Sequence, residues 1–279
     1  MKFESLQWGD YELIDVGNGL KYERFGTFYL IRPESMAYFK SALDPEEWEK
    51  SCDFIFEEND STSGKWIMKS GQDLWRLQYQ DFQFLLKITR FKHIGLFPEQ
   101  EINWRFILEN LDSKGRFLNL FGYTGAASIV AASTGAKVVH VDSVKQIVQW
   151  ASENAKINHF ESISWVVEDA LKFAQKEYKR GKKYDGIIMD PPAFGFGTKG
   201  EKWKIEENIE ELIQLGIDLL EPNGFLVLNT YSPKLPLKKL KQLLDLHKHK
   251  GSFEVGELTT QSTSGKNLTR GNLVRFRRN

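Results

Sequence analysis

Residues 116–142 read RFLNLFGYTGAASIVAASTGAKVVHVD, and their pattern decides the architecture. Arg116–Phe121 is a short apolar run, Thr124–Ser133 is Ala-rich and of helical length, and Lys137–Val141 is again β-branched and apolar. Strand, glycine turn, helix and strand in that order open a parallel sheet whose crossovers are helices. Outward from this stretch the alternation continues. The pattern predicts a helix from about Val144 to Ile157, a strand at Ser162–Val167, a helix at Ala170–Lys179 and a strand at Asp185–Met189. Ile205, Ile209, Leu212, Ile213, Gly216, Leu219 and Leu220 then recur at helical spacing, stopped by Pro222-Asn223-Gly224, and Phe225–Thr230 is a fifth strand. Two further strand-like runs, Phe253–Thr260 and Leu273–Phe276, flank a Ser/Gly-rich turn. The expected fold is α/β, a doubly wound sheet with helices on both faces.

Upstream the texture differs. Residues 1–90 form short aromatic-rich runs broken by turns, with Trp75, Leu77 and Tyr79 alternating onto one face and Asn18-Gly19 as a hairpin signal. The segment SMAYFKSALDPEEWEKSCDFIF suggests a short helix or two, and Glu99–Leu111 another after a connector near Arg90–Phe97. The reading is a small β-rich domain over 1–90 and a larger α/β domain over 91–279. The aromatics of the first domain, Trp8, Trp48, Trp66 and Trp75, read as core.

The chain has 279 residues, 41% hydrophobic and 27% charged, which excludes disorder as its main state. Its single cysteine, Cys52, can form no intramolecular disulfide, and no Cys/His cluster has zinc spacing, so neither a disulfide scaffold nor a metal centre is expected. The start, MKFESLQWGD, lacks a basic stretch followed by an apolar one, and the longest uncharged stretch, Phe117–Ala136, is too broken by Gly, Ser and Thr to span a membrane. A cytoplasmic protein without membrane contact is expected. Net charge is zero, yet residues 232–279 carry 11 basic and 3 acidic side chains, a net +8 that makes this segment a candidate contact for a polyanion. A solvated helix face with a charged tail explains it as well.

Chemistry gathers at the strand ends. Gly122 and Gly125 lie between strand and helix, where backbone amides can approach a ligand closely, or where a tight turn simply needs glycine. Asp142 follows Gly122 by 20 residues, the place of an acid that accepts from ribose hydroxyls in nucleotide-binding α/β folds, or of a helix cap. The third strand ends in Glu168-Asp169, with the same two readings. The fourth runs into IIMDPPAFGFGTKG, where Pro191 and Pro192 lack N–H donors, leaving a carboxylate (Asp190) and carbonyls for an amino group and Phe194 as a flat surface. The following GFGTKGEKWK suits a mobile substrate loop. The histidines are less informative: His93 sits in the connector, His140 packs in a strand, and His247 with His249 reads as a solvated basic face.

NLFGYTGAAS, VDS, EDA and DPPAF stand in the order of motifs I to IV of class I S-adenosylmethionine-dependent methyltransferases, which the chain resembles over about residues 90–279. FKHIGLFPEQEINWRF is similar to the lead-in of the subfamily related to bacterial large-subunit (23S) rRNA methyltransferases, and the β-rich front resembles that subfamily's middle domain, without a PUA module. The resemblance implies a Rossmann-like sheet that binds S-adenosylmethionine. It implies a cofactor site made by Phe121, Gly122, Tyr123, Thr124 and Gly125 around the methionine end. Asp142 with Ser143 would hold the ribose and Asp169 with Ala170 the adenine, Phe97 and Gln100 would close the site, and Asp190 would face the methyl group. Asp190, Pro191, Pro192 and Phe194 would form the acceptor side. Relatives that methylate cytosine C5 use a cysteine after the fifth strand; here residues 228–233 read LNTYSP, which turns the expectation toward an amino or ring nitrogen of an RNA base. Protein or small-molecule methylation is the runner-up. An NAD-dependent oxidoreductase would also use the glycine turn and Asp142 but leaves Asp-Pro-Pro-Ala-Phe unexplained, and a non-catalytic RNA-binding protein would need none of the four strand ends.

Overall fold

The computed structural model describes residues 1–59, 63–197 and 200–279. In chain order the elements are β1 (Lys2–Ser5), β2 (Tyr11–Gly17), β3 (Leu20–Phe25), β4 (Phe28–Pro33), α1 (Pro45–Ser51), β5 (Phe54–Glu58), β6 (Gly64–Met68), β7 (Leu74–Tyr79) and β8 (Phe82–Lys87). A single 3-10 turn, Pro98–Gln100, leads into α2 (Glu101–Asn110), β9 (Arg116–Leu120), α3 (Ala126–Ser133), β10 (Lys137–Asp142), α4 (Lys145–Ile157), β11 (Ile163–Val167) and α5 (Ala170–Lys179). The chain continues through β12 (Tyr184–Met189), β13 (Phe194–Phe196), β14 (Lys202–Lys204), α6 (Ile205–Asp218), β15 (Leu220–Thr230), α7 (Leu237–Asp245), β16 (Gly251–Gln261) and β17 (Asn267–Arg278).

The chain forms two compact units. The first comprises Met1–Phe3, Ile102–Leu258 and Gly271–Asn279, the second Glu4–Glu101 and Thr259–Arg270. Residues 91–101 and the end of the β16–β17 pair thus fall with the β-rich unit, whereas the sequence reading draws one line near residue 90. The reason is visible in Arg270, whose side chain is 3% exposed among Tyr11, Glu23 and Glu34 of that unit.

Unit one is built on an eight-stranded sheet of order β1-β16-β17-β15-β12-β9-β10-β11. Strands β15, β12, β9, β10 and β11 run parallel, and β17 joins β15 antiparallel. The chain starts at β9, steps to β10 and β11 on one side, then crosses to β12 and β15 on the other. The boundary between β9 and β12 is therefore the topological switch point, where the loops leaving adjacent strands diverge and open a crevice. Register aligns Leu120 with Val141 on one side and Met189 on the other, so the residues that follow emerge at one level. Leu118, Leu120, Val141, Ile187, Met189 and Leu226 are almost fully buried beneath that edge. Their burial, at about 25 cal/mol per Å² of apolar surface, is what holds helices to the sheet. Packing is close at Gly216 of α6, where a Cβ would stand 2.5 Å from Leu226.

Unit two has a five-stranded sheet, β2-β3-β4-β5-β6, and the β7–β8 hairpin. Asn18 and Gly19 both take positive φ (54° and 78°), the two-residue turn the sequence signals, and Trp75, Leu77 and Tyr79 are buried on one face of β7. Trp48 lies stacked on Tyr22, and Trp75 on Phe54, so these two tryptophans are core. Glu23, fully buried, takes Arg32 through two guanidinium nitrogens at 3.0 and 2.5 Å and accepts from the Tyr11 hydroxyl at 3.1 Å. Burial pushes its carboxyl up, but Arg32, Lys21 and Arg270 outweigh that and hold it at about 2.

Candidate active site at the switch point

Phe121 (φ 59°) and Tyr123 (φ 48°) adopt left-handed backbone on either side of Gly122, and Gly125 (φ 86°) caps the N-terminus of α3. Non-glycine residues rarely hold such angles unless the surroundings impose them. Here the Gly122 N–H donates to Val141 O at 2.9 Å, Gly125 N–H to Gly122 O at 3.0 Å, and Tyr123 N–H to Asp142 Oδ2 at 3.0 Å. The two glycines are needed for different reasons. A Cβ on Gly122 would stand 2.4 Å from His140 Cε1, whereas Gly125 needs its left-handed φ and approaches Ala151 closely. The Thr124 side of the turn is buried, and its carbonyl accepts from Asn154 Nδ2 at 2.9 Å.

His140 is wholly buried in β10, its Nδ1 3.0 Å from Ser128 Oγ and its ring tilted on Trp165; Ser128 Oγ in turn accepts from Asn119 Nδ2 at 2.9 Å. Burial lowers its imidazole to about 3, so it is neutral and acts as a shaped wall under the turn.

Asp142 does not cap α4; that position is Val144, without a side-chain bond. Its carboxylate instead joins the two loops, Oδ2 accepting from Tyr123 N–H and Oδ1 from Val144 N–H at 3.0 Å. A carboxylate offers about four acceptor positions, so capacity for a further donor remains. Burial raises this carboxyl above its usual range, against the N–H donors of Val144, Tyr123 and Ser143. Asp169 is the α5 cap, Oδ1 accepting from Lys172 N–H at 2.9 Å, and Ala170 follows buried as the first helical residue. Glu168 is ion-paired with Lys176 on the surface.

At β12 the half-buried Asp190 donates its N–H to Leu120 O at 3.4 Å, beside the glycine turn. The turn departs from expectation in one respect. Pro192 O is not free, because Trp203 Nε1 donates to it at 2.6 Å. The loop expected to be mobile is, in its described part, the β13–β14 hairpin, with Thr198 and Lys199 outside the described residues. Trp203 is 4% exposed and its ring lies 4.9 Å from that of Phe121, so the hairpin is pinned to the switch point by a residue the sequence reading overlooked. The signal was present: Phe-x-Phe and Lys-Trp-Lys flank a Gly-rich turn, the alternation of a hairpin. Ser143 Oγ donates to Phe196 O at 3.1 Å, linking the hairpin to the end of β10.

Unit one therefore brings together Phe121–Gly125, Asp142, Ser143, Asp169, Ala170 and the Asp190–Phe194 turn. Phe97 and Gln100 lie in unit two, at the 3-10 turn. His247 departs from expectation: it is 5% exposed rather than solvated, since it turns inward at the end of α7. Several arginines of the basic C-terminal segment are also committed internally. Arg275 stacks on Phe106 at 4.1 Å, Arg277 bonds Asn110, and Arg278 donates to Leu220 O at 2.6 Å. Among the described residues no cluster could hold a metal ion, and no helix is long and apolar enough to cross a membrane.

The family model described as S-adenosylmethionine-dependent methyltransferase matches residues 55–237. The chain belongs to that family. A solved SAM-dependent methyltransferase from Agrobacterium tumefaciens is 35% identical, with a TM-score of 0.93 over 99% of this chain and 93% of that one. A ribosomal RNA large subunit methyltransferase K/L from Shewanella sp. (strain ANA-3) is 33% identical over 161 residues, 56% of this chain and 22% of its own. The chain thus spans about a fifth of the length of the curated relatives it matches first. A putative methyltransferase, SMU.776, solved in complex with SAH, shares the fold at 20% identity and a TM-score of 0.73, covering 93% of this chain and 71% of that one. The family match leaves the nicotinamide-dependent alternative without support.

Proposed function

We propose that the chain methylates an amino or ring nitrogen of an RNA base, with S-adenosylmethionine as donor and an rRNA-like acceptor in the cytoplasm. The observation that carries the cofactor assignment is the Asp142 carboxylate, which bridges two loops at the switch point and keeps acceptor capacity for a further donor. It would take the ribose hydroxyls, with Ser143 beside it. The Phe121–Gly125 turn would cradle the methionine end, where the α3 N-terminus meets its carboxylate. Asp169, already capping α5 through Oδ1, would use Oδ2 for the adenine amino group, beside Ala170.

When bound, the cofactor supplies an electrophilic sulfonium methyl. Asp190 would orient the acceptor by taking its N–H, leaving the nitrogen lone pair to face the methyl group. Pro191 and Pro192 fix the backbone that carries Asp190, and Phe194, 53% exposed, would stack on the acceptor base. Such alignment is what a bimolecular displacement needs from its enzyme, and no covalent intermediate is required. This fits the absence of cysteine from residues 102–258; Cys52, buried in unit two, has its thiol pushed up by burial and is a poor nucleophile.

The relatives named as ribosomal RNA methyltransferases support the acceptor class. The test is incubation with tritium-labelled S-adenosylmethionine and total RNA from cells lacking the gene. Ribonuclease-sensitive label is expected, and nucleoside analysis would name the atom. Absence of label in RNA, with cofactor binding intact, would move the acceptor to a protein or small molecule.

A further inference from the structure

The β13–β14 hairpin has two unlike faces. Its register pairs Phe194 with Lys204, Gly195 with Trp203 and Phe196 with Lys202. Residues directly opposite in an antiparallel pair share a face, and alternate residues return to it. Gly195 and Trp203 therefore face the protein, where Trp203 is held by Pro192 O and Phe121. Phe194, Phe196, Lys202 and Lys204 face away. Phe194 and Phe196 are 53% and 56% exposed, and their rings meet edge to face at 5.1 Å. Single exposed apolar residues need no explanation, but two contacting phenyl rings framed by lysines, next to the Asp190 turn, do.

The chemistry of that face selects its occupant. Lys204 is paired with Glu207 at 2.6 Å, while Lys202 is exposed and has no ion-pair partner among the described residues. Flat rings beside an uncommitted cation match a single-stranded nucleic acid, whose bases stack on aromatics and whose phosphates take lysine. An apolar protein partner would leave Lys202 facing apolar surface. The face is also pre-formed: Gly197 N–H bonds Glu201 O at 2.7 Å, Ile205 N–H bonds Ala193 O at 3.1 Å, and Phe196 O accepts from Ser143. Little order remains to be imposed when a ligand arrives.

We propose, resting on the reading that RNA is the acceptor, that this outer face grips the strand beside the methylated nucleotide. Phe196 stacks on a neighbouring base and Lys202 meets a neighbouring phosphate. Phe194, by contrast, serves the acceptor base itself.

The test uses the full chain with Phe196→Ala, Phe196→Trp, Phe196→Leu and Lys202→Ala. Three quantities are read: KM and kcat for rRNA from cells lacking the gene, fluorescence anisotropy of a labelled 12-nucleotide single-stranded RNA, and calorimetric affinity for S-adenosylmethionine. Phe196→Ala and Phe196→Leu should raise the RNA KM and the RNA Kd about tenfold, whereas Phe196→Trp keeps both within twofold because it keeps a ring. Lys202→Ala should lower the slope of log Kd against log salt by about 0.7, one single-strand phosphate contact. Cofactor affinity should stay within twofold throughout. The proposal is overturned if the alanine variants bind RNA as wild type does, or if Phe196→Ala weakens the cofactor and not the RNA. If wild type itself labels no RNA, the acceptor reading fails and takes this proposal with it, an outcome distinguishable because it appears before any substitution.

Discussion

Gly122→Ala tests whether the Phe121–Gly125 turn is shaped from below by His140. A methyl group at Gly122 would lie 2.4, 2.5 and 3.0 Å from Cε1, Nδ1 and Nε2 of that ring. Comfortable contact is about 3.5–4.0 Å, so ring or turn must move by roughly 1 Å. The ring cannot easily yield, being wholly buried, bonded to Ser128 Oγ at 3.0 Å and packed on Trp165. Overpacking of this kind costs about 1–3 kcal/mol. Chemical denaturation should show that loss, and calorimetry should show weaker cofactor binding if the turn yields instead. The decisive comparison is a double-mutant cycle. His140→Ala alone destabilises by leaving a cavity, but in that background the new methyl has space, so Gly122→Ala should cost close to nothing. An equal cost in both backgrounds would refute the argument that the ring dictates the glycine.

Asp142→Ala should weaken S-adenosylmethionine binding by about 1.5–3 kcal/mol, the scale of hydrogen bonds to a charged group, and unchanged affinity in calorimetry would remove the ribose assignment. Asp190→Ala should abolish methyl transfer with cofactor affinity within a few-fold; a fully active variant takes Asp190 out of the acceptor side. His140 makes stability pH-dependent. Its native value of about 3 lies below the unfolded 6.5, so the unfolded chain binds the extra proton between those values and stability falls as pH falls. That amounts to about 2 kcal/mol between pH 6.5 and 5, measured by denaturation, and the slope should be shallower in His140→Ala. Glu23→Ala should cost unit two about 3–5 kcal/mol by leaving Arg32 buried without its carboxylate, and a loss under 1 kcal/mol would show that the cluster rearranges.

The parallel sheet was legible because its central strands β9, β12 and β15 are buried on both faces and read as apolar runs, and because glycine or proline punctuates the turns after β9, before β12 and after β12. The four strand ends were legible for the same reason: a residue after an apolar run must lie at the sheet's carboxyl edge. What escaped was tertiary. Nothing local says that the ring of His140 fills the space a Gly122 side chain would need, although the two are only 18 positions apart, in the turn after β9 and on the neighbouring strand β10. The carbonyls expected to stand free after Asp190 could not be assigned from sequence, since the Trp203 donor that takes Pro192 O arrives from eleven residues downstream. Asp169 was ambiguous between a helix cap and a ligand, and the structure shows the cap, made through Oδ1.

The charge of the C-terminal segment bears on where RNA would be held. Read as a sum, +8 over residues 232–279 points to a basic surface. Read by side chain, Arg270 is enclosed by Tyr11, Glu23 and Glu34, and Arg275, Arg277 and Arg278 stack on aromatics or bond main-chain carbonyls. Lys234 and Lys250 pair with Glu206 and Asp218. Guanidinium groups committed in this way serve the fold, so the sum overstates the charge left for phosphate. The cations of the segment left for a polyanion are chiefly the exposed lysines of α7, Lys238, Lys239 and Lys241, which share a helix with the buried Leu240 and Leu244. If RNA is the acceptor, its contacts on a chain of zero net charge are expected to be local, and the exposed Lys202 beside two exposed rings is then a stronger candidate than the summed charge of the tail.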